Sequence, residues 1–507
     1  MSKESSGVLT LAKQGGITFI GNILDKILGF AFIMMVTRMV SPDVFGTFTL
    51  ALSIVIFAQN IFSLNLYRAI DYFVPQSLTE ERFGRANSTV LTVIAMAGMG
   101  SVLGYLLLNL VAPKLSQVFS TEQLTVVIPV IGVSVLLITL NKSLLSCFNS
   151  VKILKYRVYT KNLIQKATKF VVALVLLWLG WGVWGLVYAQ IAAFGLSVVA
   201  GAYFLTRSQD WLSVLNVERP RVGEIVTYSV PLMFAGIIYA TVGQIDFFII
   251  GYFHGSRPVG LYKVGYSLAS NLLIVIAAVS PVFKPMISER KNDIVELKKQ
   301  YWLATRWVFM LTFPMAVTLF TAPAAYLSIL FSPEYAVVGL TLSVLTMGYL
   351  VNAFFGPQSM MLQGLGYTRL TLLNTVIMIT VNSLLDFALV PSLGPLGAGI
   401  GTAAAISTFA LAGAIQIKIT KGIHPFDTDM LKQWVAGGAS FLSALGLRFS
   451  ADGVVLASVL PFLVVAVYLT SLLLLKGLSE EELILARKLD SYLGTTLLEK
   501  TVSAGVQ

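Results

Sequence analysis

The sequence predicts an all-α polytopic membrane protein, and its composition and its apolar pattern both lead to that prediction. Of the 507 residues, 56% are hydrophobic and only 12% are charged, and the mean hydropathy is +0.83. Soluble domains carry roughly twice that charged fraction, about 25%. The apolar residues fall into blocks of about 20, the helix length that crosses a hydrocarbon core. Because lipid cannot pair backbone polar groups, such blocks must form helices.

The apolar blocks and the turn residues between them give about fourteen membrane spans. The first block is long, contains Asp25 and Lys26, and lacks a small-residue cleavage site, so we expect a retained span and not a signal peptide. In order, the predicted spans are 14–36, 43–66, 88–112, 123–146, 160–180, 183–206, 225–252, 258–283, 302–323, 335–357, 368–389, 395–418, 431–447 and 453–475.

The Lys and Arg residues of the loops predict the topology. The terminal segments and the even-numbered loops hold 26 of the 35, whereas the odd-numbered loops hold Arg38, Lys114, Arg257 and Arg448. Because cytoplasmic loops are enriched in Lys and Arg, this imbalance predicts that both termini are cytoplasmic. It also explains the net charge of +11 without a nucleic-acid partner.

An internal repeat divides most of the chain into two lobes. Three landmarks recur in the same order at nearly one offset, 211 to 214 residues, and the first of them pairs Gly46 with Gly260. Such a period indicates a duplicated unit. Six spans per copy give both copies the same orientation, as in transporters whose lobes rock about a site between them. We therefore predict two parallel six-helix lobes, 1–208 and 220–420, around a central cavity.

Two further segments follow the repeat. Residues 428–475 form an accessory pair of spans, and 476–507 form a cytoplasmic tail. Ser479 and Glu482 have the spacing of a capping box before an apolar stripe, which predicts a short amphipathic helix at the membrane interface. A solvated tail without that helix is the alternative.

Three stretches of the sequence resemble the polysaccharide-biosynthesis flippases. They are LDKILGFAFIMMVTRMVSPDVFGTFTLA, QIDFFIIGYFHGSRPVGLYKVGYSLA and ALVPSLGPLGAGIGTAAAIS, and the spacing of Arg38, Asp246 and Gly260 within them carries part of the likeness. The superfamily also holds multidrug and toxic compound extrusion transporters and lipid II flippases. The resemblance implies a prokaryotic plasma (inner) membrane protein that moves a polyprenyl-linked oligosaccharide to the outer leaflet by alternating access. Its implied partners are membrane lipids and the glycosyltransferases or polymerase of the same pathway.

An anionic pyrophosphate head group crossing a low-dielectric cavity needs fixed cations, so lysines within spans are the first candidates. Lys26 lies about 18 Å into the first span, and Asp25 is rotated about 100° from it. The alternative for Lys26 is a structural ion pair with another helix. Lys166 and Lys169 share one helix face, as a phosphate-binding ridge would, although their stems could reach lipid head groups instead. Lys142 is either a cavity residue or an anchor at the interface.

The remaining candidates lie near the ends of spans. Lys263 and Arg257 are expected near the outer face, where they would receive the head group after flipping. Arg38 and Arg68 close the first two spans and are expected to be structural or gating residues. Asp246 is expected to pair with a basic residue of its own lobe, and proton coupling is the alternative.

Three function classes stay open. A flippase for lipid-linked oligosaccharides is favoured because five lysines lie within spans, which suits an anionic cargo. A cation-coupled multidrug exporter would use Asp25 and Asp246 as proton or sodium sites. A membrane-embedded glycan polymerase or ligase would need large outer loops, which the sequence lacks. We expect no enzyme activity, no cofactor apart from possible H⁺ or Na⁺ coupling, and no metal site, since only Cys147 and two histidines are available.

Overall fold

The protein is almost entirely helical in the computed structural model, which describes residues 3–209, 211–212, 218–219, 221–427, 429–451, 453–478, 480–493 and 502–503. The all-α polytopic architecture predicted from the sequence is confirmed. The chain forms two compact units, Met1–Lys263 and Val264–Gln507. This boundary lies within one helix and differs from the lobe boundary at 208–220. The division into repeat lobes stays a prediction.

Unit 1 contains twelve α-helices in its described residues, the last of which continues into unit 2. They are α1 (Lys3–Met39), α2 (Pro42–Phe62), α3 (Tyr67–Thr79), α4 (Phe83–Val118), α5 (Leu124–Ile131), α6 (Ser134–Ser150), α7 (Leu154–Val158), α8 (Gln165–Trp178), α9 (Gly182–Ser208), α10 (Val222–Val242), α11 (Ile245–His254) and α12 (Ser256–Ser270). A π-helix, Tyr159–Ile164, joins α7 to α8.

Unit 2 contributes ten more α-helices within the part of the chain that the structure describes. They are α13 (Ile274–Glu289), α14 (Ile294–Thr321), α15 (Pro323–Leu330), α16 (Gly339–Phe354), α17 (Gln358–Gly364), α18 (Thr368–Leu393), α19 (Pro395–Lys421), α20 (Asp429–Ser450), α21 (Gly453–Leu474) and α22 (Glu480–Leu493). Short 3₁₀ turns at Asn271–Leu273 and Pro333–Val338 complete the unit.

Eleven of the predicted spans are both long and apolar enough to cross a membrane in the described residues. The other three are helical but differ from a simple span. Span 160–180 begins in the π-helix and has three lysines in its first half. Span 225–252 is interrupted between α10 and α11, and span 431–447 is the long but less apolar α20. The fourteen predicted spans are therefore all helical and in the predicted order, but three of them are not long, uninterrupted apolar helices.

Helix α4 shows how a span can bury small and polar side chains and present large apolar ones to lipid. In α4, Ser101 and Gly104 are buried, whereas Met99, Leu106 and Leu110 are more than half exposed. Ser101 Oγ donates a hydrogen bond to the Thr139 hydroxyl of α6 at 2.8 Å. Because lipid tails are as apolar as these faces, the hydrophobic effect does not bring the helices together. Close packing and interhelical hydrogen bonds do so instead.

Two glycines of the internal repeat meet at a close helix contact in unit 1. A Cβ atom on Gly46 of α2 would overlap the carbonyl oxygen of Ser256, and one on Gly260 of α12 would overlap that of Pro42. Residues 42 and 256 are 214 apart, as are the two glycines. The contact is therefore reciprocal, which is the signature of a two-fold arrangement, and only glycine permits it on either side.

An ion pair with the same spacing lies beside the glycines. Arg257 Nη1 donates to Asp43 Oδ2 at 2.8 Å, and both side chains are about half exposed. At that exposure the pair contributes little stability, on the order of 0–1 kcal/mol. Its geometry matters more, because it joins the first turns of α2 and α12 at the contact that the glycines permit.

A buried ionic network joins three helices of unit 2. Arg306 of α14 is 6% exposed, and its Nη2 donates to both carboxylate oxygens of Glu482 in α22, at 2.9 and 3.1 Å. Trp307 Nε1 donates to Glu482 Oε1 at 2.7 Å, and Arg306 Nη1 lies 3.7 Å from Asp429 Oδ2 at the start of α20. The tail helix expected at the membrane interface thus exists and is bound to the protein, while the predicted cap residue Ser479 lies outside the described residues.

Replacing Gly46 with alanine should destabilise the protein by about 1–3 kcal/mol, because the new methyl group overlaps backbone that cannot move without shifting α12. We expect a lower Tm in thermal unfolding of the purified protein in detergent. Gly29→Ala in α1 is the control, since its added Cβ meets no atom within 4 Å. Both substitutions raise the helix propensity of their position by the same amount. Equal Tm values for the two variants would show that the contact is not tight.

Replacing Glu482 with alanine should lower the free energy of unfolding by about 3 kcal/mol, since a buried arginine loses its principal partner. Glu481 is the matched control. It lies 3.8 Å from Arg306 and is about one-third exposed, so Glu481→Ala should cost less than about 1 kcal/mol. Chemical denaturation followed by tryptophan fluorescence measures both, and a loss of similar size in the two variants would contradict the assigned role of Glu482.

Candidate functional site

Unit 1 encloses a cavity of about 510 Å³ whose lining is strongly basic. Helices α2, α3, α6, α7, α8 and α9 and the π-helix form its walls. The lining has one carboxylate, Asp71, among the described residues. We call this space the basic cavity; its cations are Lys142, Arg157, Lys161, Lys166 and Lys169, and its amides are Gln59, Asn141, Asn149, Gln165 and Gln190.

Two helix faces carry most of the polar lining. On α6, Lys142, Ser146 and Asn149 follow one another at spacings of four and three, which places them on one face. The chain turns after Ser150 and returns through α7, the π-helix and α8, and the first cation of this segment that lines the cavity is Arg157. Asn149 and Arg157 therefore lie towards the loop end of the cavity, and Lys142 lies deeper.

The π-helix aligns the cations of the returning segment. Lys161 and Lys166 are five residues apart, and in a regular α-helix they would be rotated by about 140° from each other. In a π-helix the hydrogen bonds run from i to i+5, so residues at that spacing come close to one face. Sequence reasoning placed Lys166 and Lys169 on one face but missed Lys161 and Arg157, since nothing in the sequence marks the π-turn.

Lys142 lines the basic cavity, and amide groups bind its ammonium there. Its Nζ donates to Gln59 Oε1 at 2.7 Å and lies 3.4 Å from Asn60 Oδ1. Gln59 is fully buried, and its own Nε2 donates to the hydroxyls of Ser63 and Thr139 at 3.0 and 3.3 Å. This network orients the Lys142 ammonium within the lining of the basic cavity, and its role as a cavity residue or an anchor stays a prediction.

Asp25 and Lys26 face different surroundings, as their rotation around the first span predicts. Asp25 forms an ion pair with Lys166 of α8, with Oδ1 and Nζ 3.3 Å apart. Lys26, rotated around α1, is exposed and does not contribute to the lining of the basic cavity. An ion pair with another helix was the alternative role for Lys26, and in the structure it is Asp25 that forms such a pair.

Lys169 lies between two aromatic rings. Its Nζ is 4.3 Å from the ring centroid of Phe32 and 5.3 Å from that of Phe48. Among the described residues, no carboxylate lies within ion-pair distance of it. Lys263, whose Nζ is 5.0 Å from the Phe247 ring, is close enough to repel Lys166 and Lys169 electrostatically. Lys263 does not line the basic cavity, and it lies on the same helix as Arg257, which binds Asp43.

The residues expected to be structural occupy several places in unit 1. The hydroxyl of Tyr262 donates to Asp246, which is buried. Arg38 is exposed at the end of α1, and Arg68 is half-buried one turn before Asp71. Neither arginine lines the basic cavity, and their gating or structural roles stay predictions.

Asp71 on α3 faces the basic cavity near its loop end. Ser146 Oγ donates to its Oδ2 at 3.1 Å, and Asn149 Nδ2 donates to its Oδ1 at 3.4 Å. Partial burial raises the pKa of Asp71 above its usual value, and the two hydrogen bonds and the nearby Arg157 partly oppose that rise.

The electrostatic balance of the basic cavity suits an anion with polar substituents. Five cations face one carboxylate, and amide groups that donate and accept hydrogen bonds stand between them. No group of three or more His, Cys, Asp or Glu residues in the described ranges is arranged to hold a metal ion.

Unit 2 contains a second, apolar site of about 530 Å³ between α14, α16 and α20. Ring side chains dominate its lining, and Gly438 of α20 leaves one wall open, with no atom within 4 Å of a Cβ built on it. We call this the aromatic groove; its rings are Phe309, Phe313, Phe320, Phe354, Phe355, Trp434 and Phe441.

Solved structures share this fold. The lipid II flippase MurJ in an inward closed conformation superposes with a TM-score of 0.70 at 15% identity, over 90% of this chain and 98% of that one. A multidrug resistance MATE family transporter of the MOP superfamily, in an inward-facing conformation, gives a TM-score of 0.65 at 14% identity, over 78% and 94%. At these identities the likeness concerns the fold alone.

Sequence relatives cover about half of the chain. A protein named Probable flippase AglR, from Haloferax volcanii, is 26% identical over 237 residues, which are 46% of this chain and 48% of AglR. An uncharacterized membrane protein of Methanocaldococcus jannaschii is 23% identical over 283 residues, 54% of this chain and 67% of that protein. The chain thus spans about half the length of the first of these relatives and two thirds of the second.

The family model described as polysaccharide biosynthesis protein matches residues 35–339. This range includes the basic cavity, the reciprocal glycine contact and α14 of the ionic network. It extends over more than half of the 507 residues and agrees with the resemblance carried by the three sequence stretches. The chain belongs to the polysaccharide biosynthesis protein family.

Proposed function

We propose that this protein is a flippase that moves a polyprenyl-linked oligosaccharide from the cytoplasmic to the outer leaflet by alternating access. The observation that carries the proposal is the basic cavity, with five cations and one carboxylate in a multi-pass membrane protein. MurJ is named as a lipid II flippase and AglR as a probable flippase, and the fold and the family agree with such an activity.

The basic cavity offers what a pyrophosphate head group needs. Burying several cations near one another is costly unless an anion compensates them, and a pyrophosphate provides at least two negative charges. Lys169 is the best single candidate to bind it, because its ammonium lies between rings and leaves its N–H donors to a cargo. Charge-assisted hydrogen bonds to phosphate are among the strongest that a protein makes.

Both alternative functions are less well supported than a flippase. A cationic drug would be repelled by five like charges, so a cation-coupled multidrug exporter is less well supported. We propose a transporter and not a glycan polymerase or ligase, since the relatives with assigned roles are named as flippases or transporters.

The orientation follows from the loop charges. We propose that both termini lie in the cytoplasm of a prokaryote, beneath its plasma membrane. The loop end of the basic cavity, next to the basic segment Lys152–Arg157, then faces the cytoplasm, where a lipid-linked precursor is assembled. Pathway enzymes that make or consume the cargo are the proposed partners.

The aromatic groove is the proposed site for part of the polyprenyl tail. Its wall on α20 belongs to the accessory pair that follows the repeat, and its lining is apolar apart from Thr346. An isoprenoid chain is a long, flexible hydrocarbon, and a groove of flat rings and one glycine accommodates it without polar partners. This gives the accessory helices a role in binding the lipid.

The transfer assay for this proposal uses the full chain in liposomes with a polyprenyl-diphospho-oligosaccharide in one leaflet. Lys169→Gln should reduce the rate of leaflet transfer about 10-fold or more, because it removes a charge-assisted contact. Lys155→Gln is the matched control, an exposed lysine outside the cavity lining in the same unit, and it should transfer at the wild-type rate. Lys26→Ala should lose less than Lys169→Gln, because its side chain lies outside the basic cavity.

Two results would contradict the proposal. Absence of transfer by the wild type across several plausible cargoes would remove the flippase assignment. Full transfer by Lys169→Gln, with a large loss in Lys26→Ala, would move the binding site out of the basic cavity to the first span.

Filling the aromatic groove should slow transfer of long-chain cargo without weakening head-group binding. Gly438→Phe projects a ring into open space in the groove, so it should fold normally and lower the transfer rate several-fold. Gly446→Phe on the same helix is the control, because it also meets no atom within 4 Å and does not line the groove. Equal rates for the two variants, measured with the same cargo, would argue against a lipid in the groove.

A further inference from the structure

Asp71 is the one carboxylate in the described lining of a cavity with five cations, yet it forms no ion pair within 4.0 Å of any of them. Its described partners are neutral: the Ser146 hydroxyl at 3.1 Å and the Asn149 amide at 3.4 Å. An ionised carboxylate offers about four acceptor positions. Two are used, so about two remain for donors that a ligand brings to this part of the lining.

An aromatic ring stands one turn away on the same helix. Tyr67 precedes Asp71 by four residues on α3, so both side chains lie on one face, and both line the basic cavity. The Tyr67 ring is 5.4 Å from Lys142 Nζ, measured to its centroid. A sugar ring has an apolar face of C–H groups and a rim of hydroxyl donors, and an aromatic ring beside a carboxylate and an amide matches both features.

The position of Asp71 along the cavity suits a sugar next to a pyrophosphate. Asp71 is close to Arg157 electrostatically, and Arg157 precedes Lys161 by four residues, a rise of about 6 Å. A diphosphate bound by Lys161, Lys166 and Lys169 would therefore place its first sugar near Asp71, towards the loop end.

We propose that Tyr67 and Asp71, the latter positioned by Asn149, form a sugar subsite that binds the hydroxyl groups of a neutral sugar adjacent to the pyrophosphate and disfavours a uronic acid there. This inference rests on the proposed function. It assigns Asp71 as a specificity-determining residue and narrows the cargo to lipid diphosphates whose first sugar is uncharged.

The discrimination follows from charge and hydrogen bonding. Sugar hydroxyls donate to the free acceptor positions of Asp71, and a hydrogen bond to a charged group contributes more than a neutral one. A uronic acid would put a carboxylate where a neutral sugar presents a hydroxyl donor, so Asp71 would lose a hydrogen bond and meet a like charge at contact distance. Asn149 holds the Asp71 carboxylate in place, so it acts as a positioning residue.

The test measures binding of three short-chain probes to the full chain in lipid nanodiscs by calorimetry. The probes are citronellyl diphosphate without sugar, citronellyl diphosphate glucose and citronellyl diphosphate glucuronic acid. The wild type should bind the glucose probe about 10-fold or more tightly than the glucuronic acid probe. Asp71→Asn should bind the glucuronic acid probe more tightly than the wild type does and lose most of that preference.

Two further variants and the bare probe make the outcome decisive. Asn149→Ala should weaken the preference a few-fold while leaving the charge of Asp71 in place, which keeps the proposal testable if Asp71→Asn fails to fold. Glu80→Gln, an exposed carboxylate just beyond α3, should behave as wild type. Binding of all probes with an unchanged preference in Asp71→Asn or in Asn149→Ala would overturn the sugar subsite alone. Failure of the bare diphosphate to bind would overturn the proposed function as well.

Discussion

Lipid supplies no hydrogen-bond partners, and this constraint governs the rest of the molecule. It makes the spans helical, because only a helix pairs its own backbone within one segment. It also allows large apolar side chains on the outside, so that in α4 Ser101 and Gly104 pack inside while Met99 and Leu110 face outward. Polar side chains must then find partners within the protein, as Gln59, Ser63, Thr139 and Lys142 do in one connected network.

The basic cavity brings together charges that its own lining does not balance. Lys166 has Asp25 as a partner, but Lys169 has only aromatic rings, and Asp71 is bonded to neutral groups although cations surround it. Such an arrangement costs stability and is retained where a ligand completes it. Charges without counter-charges therefore indicate where a cargo binds more clearly than the volume of a cavity does.

The two units contain sites of different chemistry. Unit 1 contains cations, amides and a carboxylate, which match a sugar diphosphate, and unit 2 contains an aromatic groove, which matches a hydrocarbon. The ionic network of Arg306, Glu482 and Asp429 joins α14 and α20, which form two walls of that groove, to the tail helix. The tail helix thus stabilises the groove and is more than a membrane anchor.

The sequence by itself determined the helical class, the order of the spans and the candidate cations, because hydropathy and the helical period are local properties. It also marked Gly46 and Gly260 through the repeat. Tertiary structure decided which cations share a cavity: it placed Lys142, Lys166 and Lys169 together, removed Lys26 from their lining and added Arg157 and Lys161. The π-turn and the pairing of Asp25 with Lys166 decided this, and both depend on contacts between helices far apart in sequence, which spacing along one helix does not encode.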